Sequence, residues 1–232
     1  EMFRAVTTRN LFSPRLAADQ LGPLVQQDRI GVWWSDGGGP SELLAAASLD
    51  NRFPTPNGHD LLGVVHQNAG QNKIDFFLER SVDYRLSIDS GRATGTITVT
   101  MRNTAPAAGL PAAVIGNNDQ GYPFGTNVAL VSVHAALPIV GAKVDGTTSP
   151  VQRATAFGAE ANTLKVQIPA GGSTIIELEV AGDMSPDDYV LMLVEQPLVN
   201  TDTYSVHVDI DGRPVIDVKS MELIKDTMLS AN

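Results

Sequence analysis

His66, Gln67, Asn68, Gln71, Asn72 and Lys73 crowd into the stretch HQNAGQNK, and Arg80 follows within the next segment. An imidazole can carry a proton near neutral pH. Side-chain amides both donate and accept, and Lys and Arg hold anionic groups. The cluster therefore has two readings. In one it binds a ligand through His66, Asn68, Asn72, Lys73 and Arg80. In the other the amides satisfy backbone groups at a turn, and Lys73 and Arg80 pair with acids such as Asp75 or Asp83. The second is the expected one. A buried Arg80 without a partner would be strongly destabilising, so a carboxylate or several carbonyls must lie beside it.

A second amide-rich stretch is GNNDQGYPFGTN, Gly116 to Asn127. Asn117 and Asn127 flank Tyr122 and Phe124, and amides beside aromatic rings can hold a sugar. The same composition also makes a long irregular loop, because Asn, Asp and Gly tolerate left-handed backbone. Candidate binding residues from the two stretches are His66, Asn68, Asn72, Lys73, Arg80, Asn117, Tyr122 and Asn127.

Other chemistry finds little support. His59, His66, His134 and His207 include no pair at helical i, i+4 spacing, so no linear metal site is expected. His207 reads as a solvated strand residue. Asp209-Ile210-Asp211-Gly212 offers carboxylates that calcium could use, or simply a hairpin turn, and the hairpin is expected. Phosphate-binding, nucleophile-elbow and zinc-protease motifs are missing. With no cysteine, thiolate chemistry and disulfides are excluded. No catalytic residue, metal or cofactor is assigned.

These residues need elements to position them. Ser13-Pro14 is a helix start, with Leu16, Ala17, Leu21, Leu24 and Val25 on one face and a break or end at Gly22-Pro23. Ile30 to Trp34 reads as a short strand whose adjacent Trp33 and Trp34 face opposite ways. A second helix is expected at Glu42–Leu49, capped by Ser41, and a break at Pro54 to Gly58.

From Ile74 to Ile88 the even positions are apolar apart from Arg80, and the odd ones are mostly polar, a period of two. So long a run predicts two strand segments meeting at a bulge near Arg80. Asp89-Ser90-Gly91 is a turn into Ala93–Met101, where Thr94, Thr96, Thr98 and Thr100 make a wet face. Further strands are expected at Val128–Ala135, Leu164–Ile168, Thr174–Val180, Tyr189–Val194 and Tyr204–Ile210. Asp211-Gly212 then turns the chain into Pro214–Val218.

Regular strands with turn chemistry between them predict a mainly β chain with an α-containing N-terminal part, the strands forming an antiparallel Ig-like β-sandwich. Three regions are expected: a helical or mixed segment over residues 1–58, the sandwich over 59–219, and a tail over 220–232 that is a short helix or a loose end. The chain has 232 residues, 43% of them hydrophobic, enough for a sizeable core. Its net charge of −10 opposes general binding of nucleic acid or anionic membrane surfaces. The opening EMFRAVTTRN lacks an initiator Met and reads as cut from something longer.

The ordered succession HQNAGQNKIDFFLERSVDY, TVTMRNTAPAAGLPAAVIGN and FGTNVALVSVHAALP, with GVWWSDGGGPSELLAAA upstream, resembles a family of actinobacterial envelope proteins known as domain of unknown function 4012. The resemblance runs from about Asn10 onward. Asn68, Asn72, Lys73, Asp75, Arg80 and Tyr84 fall on its pattern. It implies an extracytoplasmic module at the cell envelope, anchored by an upstream transmembrane helix that lies outside this sequence. The implied partners are surface polysaccharide, another envelope protein or the upstream part of the same protein. A non-enzymatic binding or scaffolding role is the expectation; a hydrolase or transferase acting on envelope polysaccharide is the alternative.

Overall fold

The computed structural model describes residues 13–27, 29–32, 39–46, 49, 53–56, 58–116, 121–156 and 159–231. The chain divides into two compact units, Glu1–Arg52 and Phe53–Asn232.

In the first unit, α1 spans Pro14–Gln26. Pro14 takes the first helical position, where its missing N–H costs nothing, and the Ser13 hydroxyl accepts from Leu16 N at 3.3 Å. The expected break at Gly22-Pro23 does not occur. The helix carries Pro23 inside it and ends a few residues later. The second helix, α2, spans Gly39–Ala46 and so begins ahead of the expected Ser41 cap. Ile30 to Val32 is not a strand, although Val32 N donates to Leu49 O at 2.7 Å. Trp33 and Trp34 lie outside the described residues.

Among the described residues the second unit is built from thirteen strands. They are β1 Asp60–Asn68, β2 Leu78–Asp89, β3 Arg92–Asn103, β4 Asn127–Ala135, β5 Ile139–Val144, β6 Thr147–Thr148 and β7 Gln152–Ala156. After these come β8 Ala159–Ile168, β9 Ser173–Asp183, β10 Val190–Val194, β11 Asp202–Ile210, β12 Arg213–Leu223 and β13 Thr227–Ser230. One turn of helix, α3 Ala112–Ile115, precedes β4. The first sheet runs β13-β10-β1-β4-β8-β7 and the second β12-β11-β2-β3-β9-β5-β6.

Inward side chains from both sheets form one core. Leu62, Val64, Val131, Val133, Leu164 and Leu191 come from the first sheet, and Val82, Tyr84, Ile88, Ile97, Val99, Ile176 and Val206 from the second. Each fully buried aliphatic side chain contributes about 1.5–3 kcal/mol. The hairpin β2–β3 is as the alternation predicted, with twelve register pairs from Leu78↔Asn103 to Asp89↔Arg92. Its turn uses Ser90 at φ 51° and Gly91 at φ 80°, the double left-handed geometry that suits strand twist. Asp211 and Gly212, at φ 48° and 72°, turn β11 into β12 in the same way, so that this stretch is a hairpin.

Four expectations are corrected. Ile74–Phe77 is a 3-10 turn, not strand. Asn72 Oδ1 accepts from Ile74 N at 3.1 Å and closes the chain locally. No bulge interrupts β2 at Arg80; its register against β3 is unbroken, because the charge is neutralised in place. The sheets are mixed, not purely antiparallel: β1 runs parallel to β10 and β2 parallel to β11. Such pairs need long crossovers, which the sequence separations of 1 from 10 and 2 from 11 supply. The described residues of the expected tail, 220–231, are neither a short helix nor a loose end. β12 continues to a buried Leu223, and β13 pairs with β10. Among the described residues no helix is long and apolar enough to cross a membrane.

Candidate functional site

Arg80 sits in the inward register of β2 with its side chain buried. Its Nε donates to both carboxylate oxygens of Asp202, at 3.0 Å each, and Nη2 donates to Asp202 Oδ2 as well. Asp202 opens β11, the parallel neighbour of β2, so sheet order brings the pair together. Nη2 also donates to Val64 O at 2.8 Å, and Nη1 donates to His66 Nδ1 at 3.1 Å and Gln196 Oε1 at 3.3 Å. Nearly every guanidinium donor is thereby used.

The guanidinium can only donate, so His66 Nδ1 accepts and the neutral ring carries its proton on Nε2. Nε2 faces Asp75 Oδ2 at 3.6 Å. The other oxygen of Asp75 accepts from Asn127 Nδ2 at 3.0 Å. Gln196 completes the surround by imitating a strand partner. Its Oε1 accepts from His66 N at 2.9 Å and its Nε2 donates to His66 O at 2.8 Å. The parallel pairing of β1 with β10 stops at Gly63↔Val194, and the Gln196 amide supplies the next pair of hydrogen bonds.

Asn68 and Asn72 are spent on each other and on the corner between β1 and the 3-10 turn. Asn68 Nδ2 donates to Asn72 O at 3.0 Å and to Asn72 Oδ1 at 2.9 Å, and Asn68 Oδ1 accepts from Gly70 N at 2.8 Å. Asn72 Nδ2 donates to Gly116 O, which ties the corner to the end of α3.

The candidate residues therefore separate. His66 and Arg80 meet directly, and Asn127 joins them through Asp75. Asn68 and Asn72 form their own corner. Lys73 is exposed and makes no ion pair among the described residues, so the expected pairing with an acid is absent there; Asp83 instead holds Arg85, at 2.7 Å. Tyr122 stands apart, its hydroxyl accepting from Gln167 Nε2 at 2.7 Å. Asn117 lies outside the described residues.

A second buried carboxyl was not anticipated. Asp60 is 1% exposed at the head of β1. Its Oδ2 accepts from Tyr84 Oη at 2.7 Å and Tyr189 Oη at 2.6 Å, and its Oδ1 from Leu61 N at 2.8 Å. Burial raises the Asp60 carboxyl above its ordinary range, and the three donors offset only part of that. Burial likewise raises both tyrosines, with the Asp60 charge adding to it. The only sequence signal was Tyr84 in an inward register, since a buried Tyr hydroxyl requires a partner.

The outer face of the second sheet carries what the sequence passed over. Asp217, His207, Arg85, Thr96 and Glu179 lie in one cross-strand row on β12, β11, β2, β3 and β9. His207 Nε2 is 3.1 Å from Asp209 Oδ2, and Nδ1 is 3.4 Å from Asp217 Oδ1. Lys143 approaches Glu179 at 3.6 Å. Ser87, Thr94, Thr96 and Ala181 form a low floor. His207, Asp209 and Arg85 stand along one side of it, and Glu179 and a 61% exposed Val140 along the other. This shallow, open trough has a volume of about 570 Å³.

No family model matches the chain, and no curated protein does. Solved structures share only low similarity. A candidate nutrient binding protein of Legionella pneumophila aligns at 10% identity and TM-score 0.39, over 63% of this chain and 54% of the other. The M1 zinc metallopeptidase of Deinococcus radiodurans aligns at 14% identity and TM-score 0.32, over 57% and 32%. Yeast LTA4 hydrolase in complex with bestatin aligns at 7% identity and TM-score 0.34, over 62% and 25%. The chain thus spans about half of the first protein and a quarter to a third of the others.

Proposed function

We propose that the β unit is a non-enzymatic, extracytoplasmic module of the cell envelope that binds surface polysaccharide on the outer face of its second sheet. It is carried on a protein anchored by an upstream membrane segment. The observation that carries the reading is the division of labour among polar groups. His66, Asn68, Asn72 and Arg80 are consumed inside the fold by Asp202, Gln196, Gly116 and one another. The trough residues face solvent instead. Its floor of Ser87, Thr94 and Thr96 hydroxyls, with carboxylates and Arg85 along the sides, offers hydrogen-bonding partners of both kinds to sugar hydroxyls. Of the trough carboxylates, Glu179 faces Lys143 and Asp209 faces His207, and Asp83 beside the trough holds Arg85. That supports holding a ligand over cleaving it.

The envelope assignment rests on the resemblance of the ordered sequence motifs to the actinobacterial family. Within this reading the β unit is a sandwich module, and its parallel β1–β10 and β2–β11 pairs distinguish it from an all-antiparallel Ig-like order.

The test is affinity electrophoresis through gels containing dextran, mannan or galactan, with a reducing-sugar assay on the same mixtures. Retardation of the wild-type chain that is lost in the double variant Arg85→Ala/His207→Ala, without sugar release, is the expected result. Release of sugar would replace this reading with a hydrolase acting on envelope polysaccharide. A protein partner would leave migration unchanged in every gel.

A further inference from the structure

The trough is continued by another on the same face. Four residues back along β11 and β2, and four forward along the antiparallel β3, Thr203, Ser81 and Thr100 form a second cross-strand row. With Asn200, Thr201 and the Arg102–Glu79 pair they line a groove of about 370 Å³. At about 3.3 Å per residue the two rows lie about 13 Å apart. Between them runs the row Ser205, Asp83, Thr98 and Glu177, in which Asp83 accepts from Arg85 Nε and Ser205 Oγ donates to Lys219 O. On β3 the same-face residues Thr96, Thr98 and Thr100 run from the first hollow to the second, so a strip of small hydroxyl side chains joins the two.

We propose that the two hollows are subsites of one open-ended groove along β2 and β3, which takes the interior of an uncharged polysaccharide chain and not its terminal sugar. This inference rests on the polysaccharide reading above. Three observations carry it. The hollows are collinear with the strands. Both offer mainly small hydroxyl side chains at their floor, which leave room for a polymer to lie against the sheet. The charge selects against acidic polymers: Asp83, Asp209, Asp217, Glu177 and Glu179 outnumber Arg85 and Lys143 in and beside the first hollow, so uronate-bearing chains are repelled. Two linked subsites give a polymer that spans both an advantage through effective concentration.

The experiment measures binding of a size-graded series of neutral oligosaccharides, cut from whichever of dextran, mannan or galactan retards the wild-type chain, with polygalacturonate as the acidic comparison. Affinity should rise about tenfold or more once the oligomer is long enough to bridge the two hollows, and polygalacturonate should not bind. Thr96→Arg fills the first hollow and Thr203→Arg the second; both positions are on the wet face, so unchanged thermal unfolding verifies the fold. Each variant should bring long oligomers down to the affinity of short ones. Equal affinity for short and long oligomers, with Thr203→Arg silent, overturns the two-subsite inference and leaves polysaccharide binding standing. Tight binding of polygalacturonate overturns the charge selection. Failure of the wild-type chain to bind any of the three neutral polymers overturns the polysaccharide reading itself, and the inference with it.

Discussion

Arg80 and Asp202, 122 positions apart in sequence, form a buried bidentate ion pair that joins β2 to its parallel neighbour β11. Both side chains are almost wholly removed from water, so neither charge can be hydrated if the other is lost. Arg80→Met or Asp202→Leu alone should therefore destabilise the chain by about 3–5 kcal/mol. The double variant Arg80→Met/Asp202→Leu, which removes both charges, should recover much of that loss. Urea unfolding of the three variants checks this. Additive losses in the double variant would mean that the pair is not coupled.

Asp60 predicts a pH dependence of its own. Its folded carboxyl is raised above the ordinary value of 3.8 because burial outweighs the bonds from Tyr189, Tyr84 and Leu61 N. Between the unfolded and folded values the native state holds the extra proton, so stability falls as pH rises through that window. Below the unfolded value the contribution is fully present. The difference in unfolding free energy between wild type and Asp60→Asn, followed upward from pH 4, should move against the wild type until the folded carboxyl has ionised, then level off. A difference that stays flat would place Asp60 at its ordinary value.

Much of the fold was legible where one face is buried and the other wet. Val82, Tyr84, Leu86 and Ile88 opposite Ile97, Val99 and Met101 declare their spacing in the sequence, and their burial follows it. β1 was not legible because it is buried on both faces from Asp60 to Val64, which erases the alternation. The parallel pairings leave no local trace, since they depend on elements more than a hundred residues apart. The same holds for the site. The need of Arg80 for a partner could be read, but the identity of Asp202 could not. The trough went unseen because outward residues read only as wet. Its signal was relational: Thr94 and Thr96 on β3 lie in register with Ser87 and Arg85 on β2.

Gly95 tests how tightly the second sheet is fitted. A Cβ there would stand 2.4 Å from Arg85 O and 2.9 Å from Leu86 Cδ1, and the first of these is backbone that cannot turn aside. Gly95→Ala should cost about 1–3 kcal/mol through forced displacement of β2. It should also weaken polymer binding, because Arg85 and Thr96 flank the displaced segment. A denaturation midpoint equal to wild type would show that the two strands part without strain.

Asn103 holds the end of β3 by donating from Nδ2 to Gly125 O at 2.7 Å, Ile168 O at 2.9 Å and Pro169 O at 3.1 Å, while its Oδ1 accepts from Ala105 N at 3.0 Å. An aspartate keeps the acceptor but points a carboxylate at three carbonyl oxygens. Asn103→Asp should therefore be more destabilising than Asn103→Ala, which leaves those carbonyls merely unsatisfied at about 1–3 kcal/mol. Lowering the pH should narrow the gap, since a protonated aspartate can donate. Chemical denaturation at pH 7 and pH 4 measures both orders, and the reverse ranking at pH 7 would show the carbonyls to be satisfied otherwise.

β13 closes the edge of the first sheet, and its removal has a double consequence. It pairs with β10 from Val190↔Ser230 to Leu193↔Thr227, Asp226 Oδ1 accepts from Glu195 N at 2.8 Å, and Leu229 and Ala231 pack against the core. Deleting residues 225–232 strips those contacts and leaves β10, with its buried Leu191 and Leu193, as a bare hydrophobic edge. Such an edge recruits other strands. The truncated chain should lose about 1–3 kcal/mol as the partly buried Leu229 and Ala231 leave the core, and should associate in a concentration-dependent way. Urea unfolding together with size-exclusion chromatography over a concentration series separates the two effects. A truncated chain with the full-length midpoint and elution volume would mean that the terminal strand is an ornament of the sheet and not one of its supports.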